Sequence, residues 1–221
     1  MSEKNTQSPI VIFDLDGTIS DPKLGIVRCI NVALKDHDYP SRDDAEISTY
    51  IGPPLDLTFA ALVENDDPML IASLVATYRE RYAIEGYAEN ILYDGMAEVI
   101  QALAERYPLA VCTAKCKDFA EMILAHFGLL QHFQFVNGGD IGINKTQQLA
   151  QLLSEGAIDQ NAIMIGDRNV DLIAAHHNGL RSIGVLWGYG DEAELSQEQP
   201  ARIVQKPCAL PAAIAALLKA R

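Results

Sequence analysis

The sequence predicts an α/β fold, a doubly wound parallel sheet carrying an inserted all-helical unit, and three observations predict it. Short, continuous runs of strand-forming apolar residues recur along the chain, helical patterns separate most of them, and the stretch from 21 to 91 carries helical patterns alone. Strands covered by helices on both faces have no solvent side, so their apolar residues run continuously and do not alternate with polar ones.

In order, Ile10–Phe13 is too short for a helix and ends at Asp14 and Gly17, which marks it as the first strand. Pro22 opens a helix to about His37. Asp67-Pro68 starts another, in which Leu70, Leu74, Val75, Tyr78 and Tyr82 keep helical spacing. No strand is expected between Asp21 and Ile91. The alternation then resumes with helix 96–106, strand 109–112, helix 118–127, strand 135–136, helix 146–154, strand 162–165, helix 169–177, strand 182–186, a weak strand 202–204 and a final helix 210–219. Residues 1–20 and 92–221 are therefore expected to form the core, and 21–91 a helical insertion after the first strand. Its tip would stand over the carboxyl ends of the strands, where open α/β sheets bind ligands.

The chain has 221 residues with 30 acidic and 17 basic side chains, a net charge of −13 and a pI near 4.7. Such a chain repels phosphate backbones and anionic lipid, so neither nucleic acid nor membrane is an expected partner. The length suits one domain with an insertion. No apolar run approaches the roughly 18–20 residues of a membrane span, and segment 1–8 is polar, so a soluble, cytoplasmic monomer or small homo-oligomer is expected. Cys29, Cys112, Cys116 and Cys208 are scattered; Cys112 and Cys116 are four apart, but no second Cys/His pair completes a zinc site, and all four are expected as reduced thiols in or near the core. His126, His132, His176 and His177 likewise show no metal-ligand spacing, and Trp187 is expected as a packed aromatic.

Four short motifs each follow a predicted strand. In Asp14-Leu-Asp16-Gly17-Thr18, residues two apart project to one side of an extended chain, and Gly17 permits a sharp turn. Two carboxylates so placed bind a cation or share a proton. Thr113, with Ala114 beside it, offers a hydroxyl where a helix opens, a place that suits an anion as well as a helix cap. Lys145, the only lysine between Lys117 and Lys206, is a flexible point charge suited to phosphate or to carboxylates. In Gly166-Asp167-Arg-Asn-Val-Asp171, the two carboxylates are four apart on a helix start and face one side. All-oxygen ligands favour Mg²⁺ over zinc.

Together these motifs resemble the haloacid dehalogenase superfamily of phosphatases, whose four motifs Asp14-x-Asp16-Gly17-Thr18, Thr113, Lys145 and Gly166-Asp167-x-x-x-Asp171 match in order, and whose helical cap the insertion resembles. The resemblance implies a Mg²⁺-dependent phosphomonoester hydrolase. Asp14 would be the nucleophile that forms an aspartyl phosphate, and Asp16 the general acid, then base. Gly17, Thr18, Thr113, Ala114 and Lys145 would bind phosphate, and Asp14, Asp16, Asp167 and Asp171 would hold the metal. Asp16 argues against a dehalogenase, because halide leaves without a proton. The lack of lysine from 36 to 114 argues against a phosphonate-cleaving relative. A β-phosphoglucomutase-like mutase shares the core chemistry, and a phosphate-receiving signalling module shares the acceptor Asp but has no use for a cap. The Tyr50–Leu55 tract and Gly184–Gly190 are most similar to the phosphoglycolate phosphatase group. A small phosphorylated metabolite, phosphoglycolate first and nucleoside 5′-monophosphates second, is the implied substrate. Gly52 and Pro53 at the cap tip, with Arg28 and Lys115 as cations and Arg79 or Arg81 behind them, are the candidate leaving-group contacts. The short 138–144 stretch carries no basic residue for that role.

Overall fold

The structure, a computed structural model, describes residues 8–139 and 142–219; segment 1–7 and part of the 138–144 stretch singled out above lie outside the described residues. Six parallel strands form the main sheet: β1 (Val11–Phe13), β4 (Leu109–Thr113), β5 (Phe135–Gly138), β6 (Ile163–Gly166), β7 (Arg181–Val185) and β8 (Arg202–Val204). Their order is β5-β4-β1-β6-β7-β8, so β1 sits inside the sheet between β4 and β6. Reversal of the winding on either side of β1 makes its carboxyl end the topological switch point.

Successive residues of a strand face opposite sides, and the core divides accordingly. Val11, Phe13, Val111 and Ile165 join one apolar cluster with α5 (Met96–Ala104), α6 (Lys117–His126) and α10 (Leu210–Lys219). Ile10, Ile12, Ala110, Cys112 and Met164 join the other, against α7 (Lys145–Ser154) and α8 (Asn169–His177). Both faces are covered, which is why the strands are continuously apolar.

Residues 23–84 contain α1 (Lys23–Asp36), α2 (Asp44–Ser48), α3 (Leu55–Val63) and α4 (Pro68–Ile84). Asp67 caps α4 by accepting from the Met69 N–H at 3.2 Å, with Pro68 in the first turn, as the dipeptide predicts. Ile26, Ile30 and Leu34 of α1 and Leu74, Tyr78 and Tyr82 of α4 bury the shared face of the bundle. Burying each such side chain is worth about 2 kcal/mol.

The structure corrects the reading of this region in one respect. β2 (Ser20–Asp21) and β3 (Ile91–Leu92) pair antiparallel at the two ends of the helical stretch, where no strand was expected. Two residues per strand are too few to show a period. Shortness likewise hid α2, of five residues, and α9 (Glu192–Gln197), of six. No described helix is long and apolar enough to cross a membrane. All four cysteines are free. Cys29 and Cys112 are buried, Cys116 is half-buried, and Cys208 is exposed, contrary to its expected place near the core, because it lies in a short surface turn before α10.

Candidate active site

Parallel register brings the motifs to one edge. Phe13 aligns with Val111 of β4 and Ile165 of β6, so the residues just beyond them, Asp14, Thr113 and Asp167, emerge together. The Asp14 N–H donates to Ile165 O at 2.9 Å, continuing the ladder past the strand. The chain then turns on itself. The Ile19 and Ser20 N–H groups both reach Leu15 O, and Gly17 adopts φ +81. A side chain at Gly17 would put its Cβ 2.2 Å from Oδ2 of Asp167, so both the backbone conformation and the close approach require glycine.

The turn uses some of its own donors. The Gly17 N–H donates to Ser20 O at 2.8 Å and the Thr18 N–H to Leu15 O at 3.3 Å, while the Thr18 hydroxyl donates to Asp167 Oδ1 at 3.0 Å. Thr18 thus anchors Asp167, whose Oδ2 also accepts from the Tyr189 N–H at 2.8 Å.

Asp14, Asp167 and Asp171, all buried, place one carboxylate oxygen each within 4.8 Å of one another. Lys145 stands among them, with Nζ 3.0 Å from Asp14 Oδ1 and hydrogen-bonded to Asp171 Oδ1. A reciprocal capping box sets that lysine. Asn144 accepts from the Gln147 N–H at 3.0 Å, and its own N–H donates back to Gln147 at 2.9 Å, so α7 begins with Lys145 aimed at the strand ends. Burial raises the Asp167 pKa, and the charges of Asp171 and Asp14 raise it further, to about 8. Burial also raises Asp171, against the pull of Lys145. For Lys145, burial works against the ammonium, but Asp14 and Asp171 outweigh it and hold its pKa well above the usual value. One ammonium among three buried carboxylates leaves an excess of negative charge. An all-oxygen site of this kind fits Mg²⁺.

Asp16 is outside that trio. Its Oδ2 pairs with Lys115 Nζ at 2.9 Å, and its Oδ1 is buried without a hydrogen-bond partner. Burial raises the Asp16 pKa and Lys115 only partly offsets this. Lys115 follows Thr113, whose hydroxyl accepts the Lys115 N–H at 3.3 Å, and its ammonium also donates to the Tyr82 hydroxyl of α4 at 3.1 Å.

A cavity opens above Asp14 and Asp16. Thr113, Ala114 and Lys115 line its floor; Ile26, Ile30, Val75 and Tyr78 of the helices and the turn Tyr50–Pro54 line its walls. Gly52 and Pro53 are therefore brought to the site, and so is Arg79. Arg28 is not. Its guanidinium pairs with Glu89 at 2.6 Å and its side chain is 54% exposed, and Arg81 is held by the same Glu89 at 2.9 Å. A carboxylate at the base of the bundle draws both away.

Several residues beyond the named positions of the four motifs shape the site. Tyr189 holds Asp167, and its hydroxyl donates to Asp21 of β2. Gln148 holds the Thr113 carbonyl at 3.1 Å. Trp187 is packed as expected, and its indole N–H also donates to Thr18 O at 2.9 Å. Arg168, inside the last motif, pairs with Glu194 at 2.9 Å. Such contacts cross long sequence separations and carry no local periodicity, so no signal in the chain marks them.

Proteins similar in sequence and in fold are known over most of the chain. Residues 11–185 match the family described as haloacid dehalogenase-like hydrolase. A Pseudomonas aeruginosa 5′-nucleotidase is 37% identical over 205 residues, 90% of this chain and 92% of its own. A Pectobacterium atrosepticum phosphoglycolate phosphatase is 32% identical over 197 residues, 84% of each chain. The crystal structure of a predicted phosphatase from Clostridium acetobutylicum superposes with a TM-score of 0.86 at 30% identity, covering 97% of this chain and 100% of that one.

Proposed function

This chain belongs to the haloacid dehalogenase-like hydrolases and is a phosphatase, and from that premise we propose that it hydrolyses a small phosphate ester through an aspartyl phosphate on Asp14. The observation that carries the reading is the pair Asp14 and Asp16 at the end of β1, one beside Lys145 and two further carboxylates, the other beside Lys115.

In the first step, Asp14 attacks phosphorus in line with the ester oxygen. Asp16 gives its proton to that oxygen as the P–O bond breaks. In the second, Asp16 takes a proton from water as the water oxygen attacks the aspartyl phosphate, releasing inorganic phosphate and restoring the Asp14 carboxylate and protonated Asp16. The burial that raises Asp16 suits the first step, because an acid must hold its proton near neutral pH. Asp14, Asp167 and Asp171 would hold Mg²⁺, which supplies charge neutralisation so that a carboxylate can approach a phosphate. Lys145 neutralises part of the carboxylate charge, and Thr113, Ala114 and the Asp16–Thr18 turn bound the phosphate site. Residues 21–91 act as a cap over it. We place the activity in the cytoplasm, where four unpaired thiols persist.

For the leaving group we favour a nucleoside, which makes nucleoside 5′-monophosphates the substrates. The cavity walls carry Ile26, Ile30, Tyr50, Pro53, Pro54, Tyr78 and Phe119, surfaces suited to a flat base and a sugar. This reverses the order suggested by sequence motifs, because the Lys115 charge that glycolate would need is engaged by Asp16. A second reading, phosphoglycolate, has Arg79 on the cavity wall in its favour. Phosphate release from a panel of nucleoside monophosphates, phosphoglycolate and sugar phosphates with Mg²⁺ separates the two. Selective turnover of nucleotides supports the first reading, and selective turnover of phosphoglycolate replaces it.

A further inference from the structure

Arg168 lies between the carboxylates Asp167 and Asp171, yet its side chain touches neither. Its Nε is 2.9 Å from Glu194 Oε1, and the same oxygen accepts the Asn169 N–H at 2.8 Å where α8 begins. Its backbone N–H donates to Asp171 Oδ2 at 3.1 Å. The other arm of the guanidinium crosses to the helical unit, where Nη1 donates to the carbonyl of Ile51 at 3.0 Å. Ile51 is buried, and it belongs to the turn that walls the cavity above Asp14 and Asp16. The next residue, Gly52, has φ +116, and a Cβ there would lie 3.7 Å from Nη1, so the turn packs against the guanidinium.

We propose that Arg168 is a positioning residue, a strut that fixes the cap turn Tyr50–Pro54 at its height over the metal-binding loop and thereby sets affinity for the leaving group. Glu194 holds the fork in one orientation, so the arm reaching Ile51 has little freedom left to lose. Because the residue is part of the loop that presents Asp167 and Asp171, the turn is referenced directly to the catalytic carboxylates and not to the distant bundle base. The inference rests on the phosphatase reading for its kinetic part only.

The test compares Arg168→Gln and Arg168→Lys with the wild type by hydrogen exchange of metal-free protein. Loss of one charge-assisted hydrogen bond corresponds to about a tenfold change in an equilibrium. Exchange in the peptide spanning 47–55 is expected to quicken about tenfold in both variants, with β1, β4 and β6 unchanged. Lysine retains the ion pair with Glu194 but has no second arm, so Arg168→Lys should leave α8 exchange at its wild-type rate; it also serves if Arg168→Gln folds poorly. In kinetics with Mg²⁺, KM for a nucleoside monophosphate should rise about tenfold with little change in kcat, while inhibition by inorganic phosphate, which does not reach the turn, stays constant. Unchanged exchange at 47–55 in Arg168→Lys overturns the strut. Equal loosening of α8 and weakened phosphate inhibition in that variant also overturn it, making the residue a support of the metal loop alone. Absence of turnover on every ester in the wild type would defeat the functional reading, while the exchange result would still decide the strut.

Discussion

Lys115 and Asp16 form a buried ion pair, Nζ to Oδ2 at 2.9 Å, in which the ammonium also reaches across to the Tyr82 hydroxyl. Burial pushes Asp16 up and Lys115 pulls it down, so this lysine sets the pH at which Asp16 surrenders its proton. Replacing Lys115 with glutamine removes the pull and leaves desolvation unopposed. The alkaline limb of the pH profile of kcat/KM, where protonated Asp16 is lost, should move to higher pH. An unmoved limb in a folded Lys115→Gln protein would show that Asp16 is not the acid.

Asp14→Asn changes little volume but removes both the proposed nucleophile and one carboxylate of the trio. Turnover should fall by about three orders of magnitude or more, with the far-ultraviolet circular dichroism spectrum unchanged. Residual activity within about tenfold of wild type would reject Asp14 as the attacking group.

Divalent metal should act on stability in a pH-dependent way. In the metal-free protein Asp167 and Asp171 have folded pKa values raised above the free value of 3.8, Asp167 to about 8. The folded state therefore binds protons more tightly than the unfolded chain, and this contribution to stability falls as pH rises from about 4 towards 8. A cation replaces those protons. The increase in Tm on adding Mg²⁺ should accordingly be small near pH 5 and largest near pH 8, and EDTA should abolish turnover until Mg²⁺ is restored. A Tm increase that shrinks with rising pH, or full activity in EDTA, would exclude the trio as the metal site.

Gly17→Ala should disable the site from within. Its Cβ would sit 2.2 Å from Asp167 Oδ2 on a backbone at φ +81. The strain should lower stability by about 1–3 kcal/mol and displace Asp167. Denaturant unfolding reads the first effect and the Mg²⁺ concentration for half-maximal activity reads the second; a variant equal to wild type in both would refute the packing argument.

Much of this was legible in the chain because it is local. Ile10–Phe13 reads as a buried strand from four residues, Asp67-Pro68 marks the start of α4, and Asp14 to Thr18 announces its own turn through Gly17. What was not legible depends on partners far away in sequence. Arg28 looks like a free cation until Glu89, brought from the other end of the bundle, takes it. Lys115 looks like a substrate contact until it meets Asp16. Arg168 was passed over inside its own motif, because its contact with Ile51 spans 117 residues. The strands β2 and β3 lacked the length to display a period.

That small antiparallel pair has a consequence for how such a chain can diversify. The polypeptide departs at Asp21 and comes back at Ile91 on directly paired residues, about 5 Å apart. Whatever lies between is an excursion with a fixed doorway, and its length places no demand on the strands that carry Asp14, Thr113 and Asp167. Beyond that doorway the excursion touches the site side at Tyr82, which meets Lys115, and at Ile51, which meets Arg168, so a different excursion would have to supply partners for those two cations.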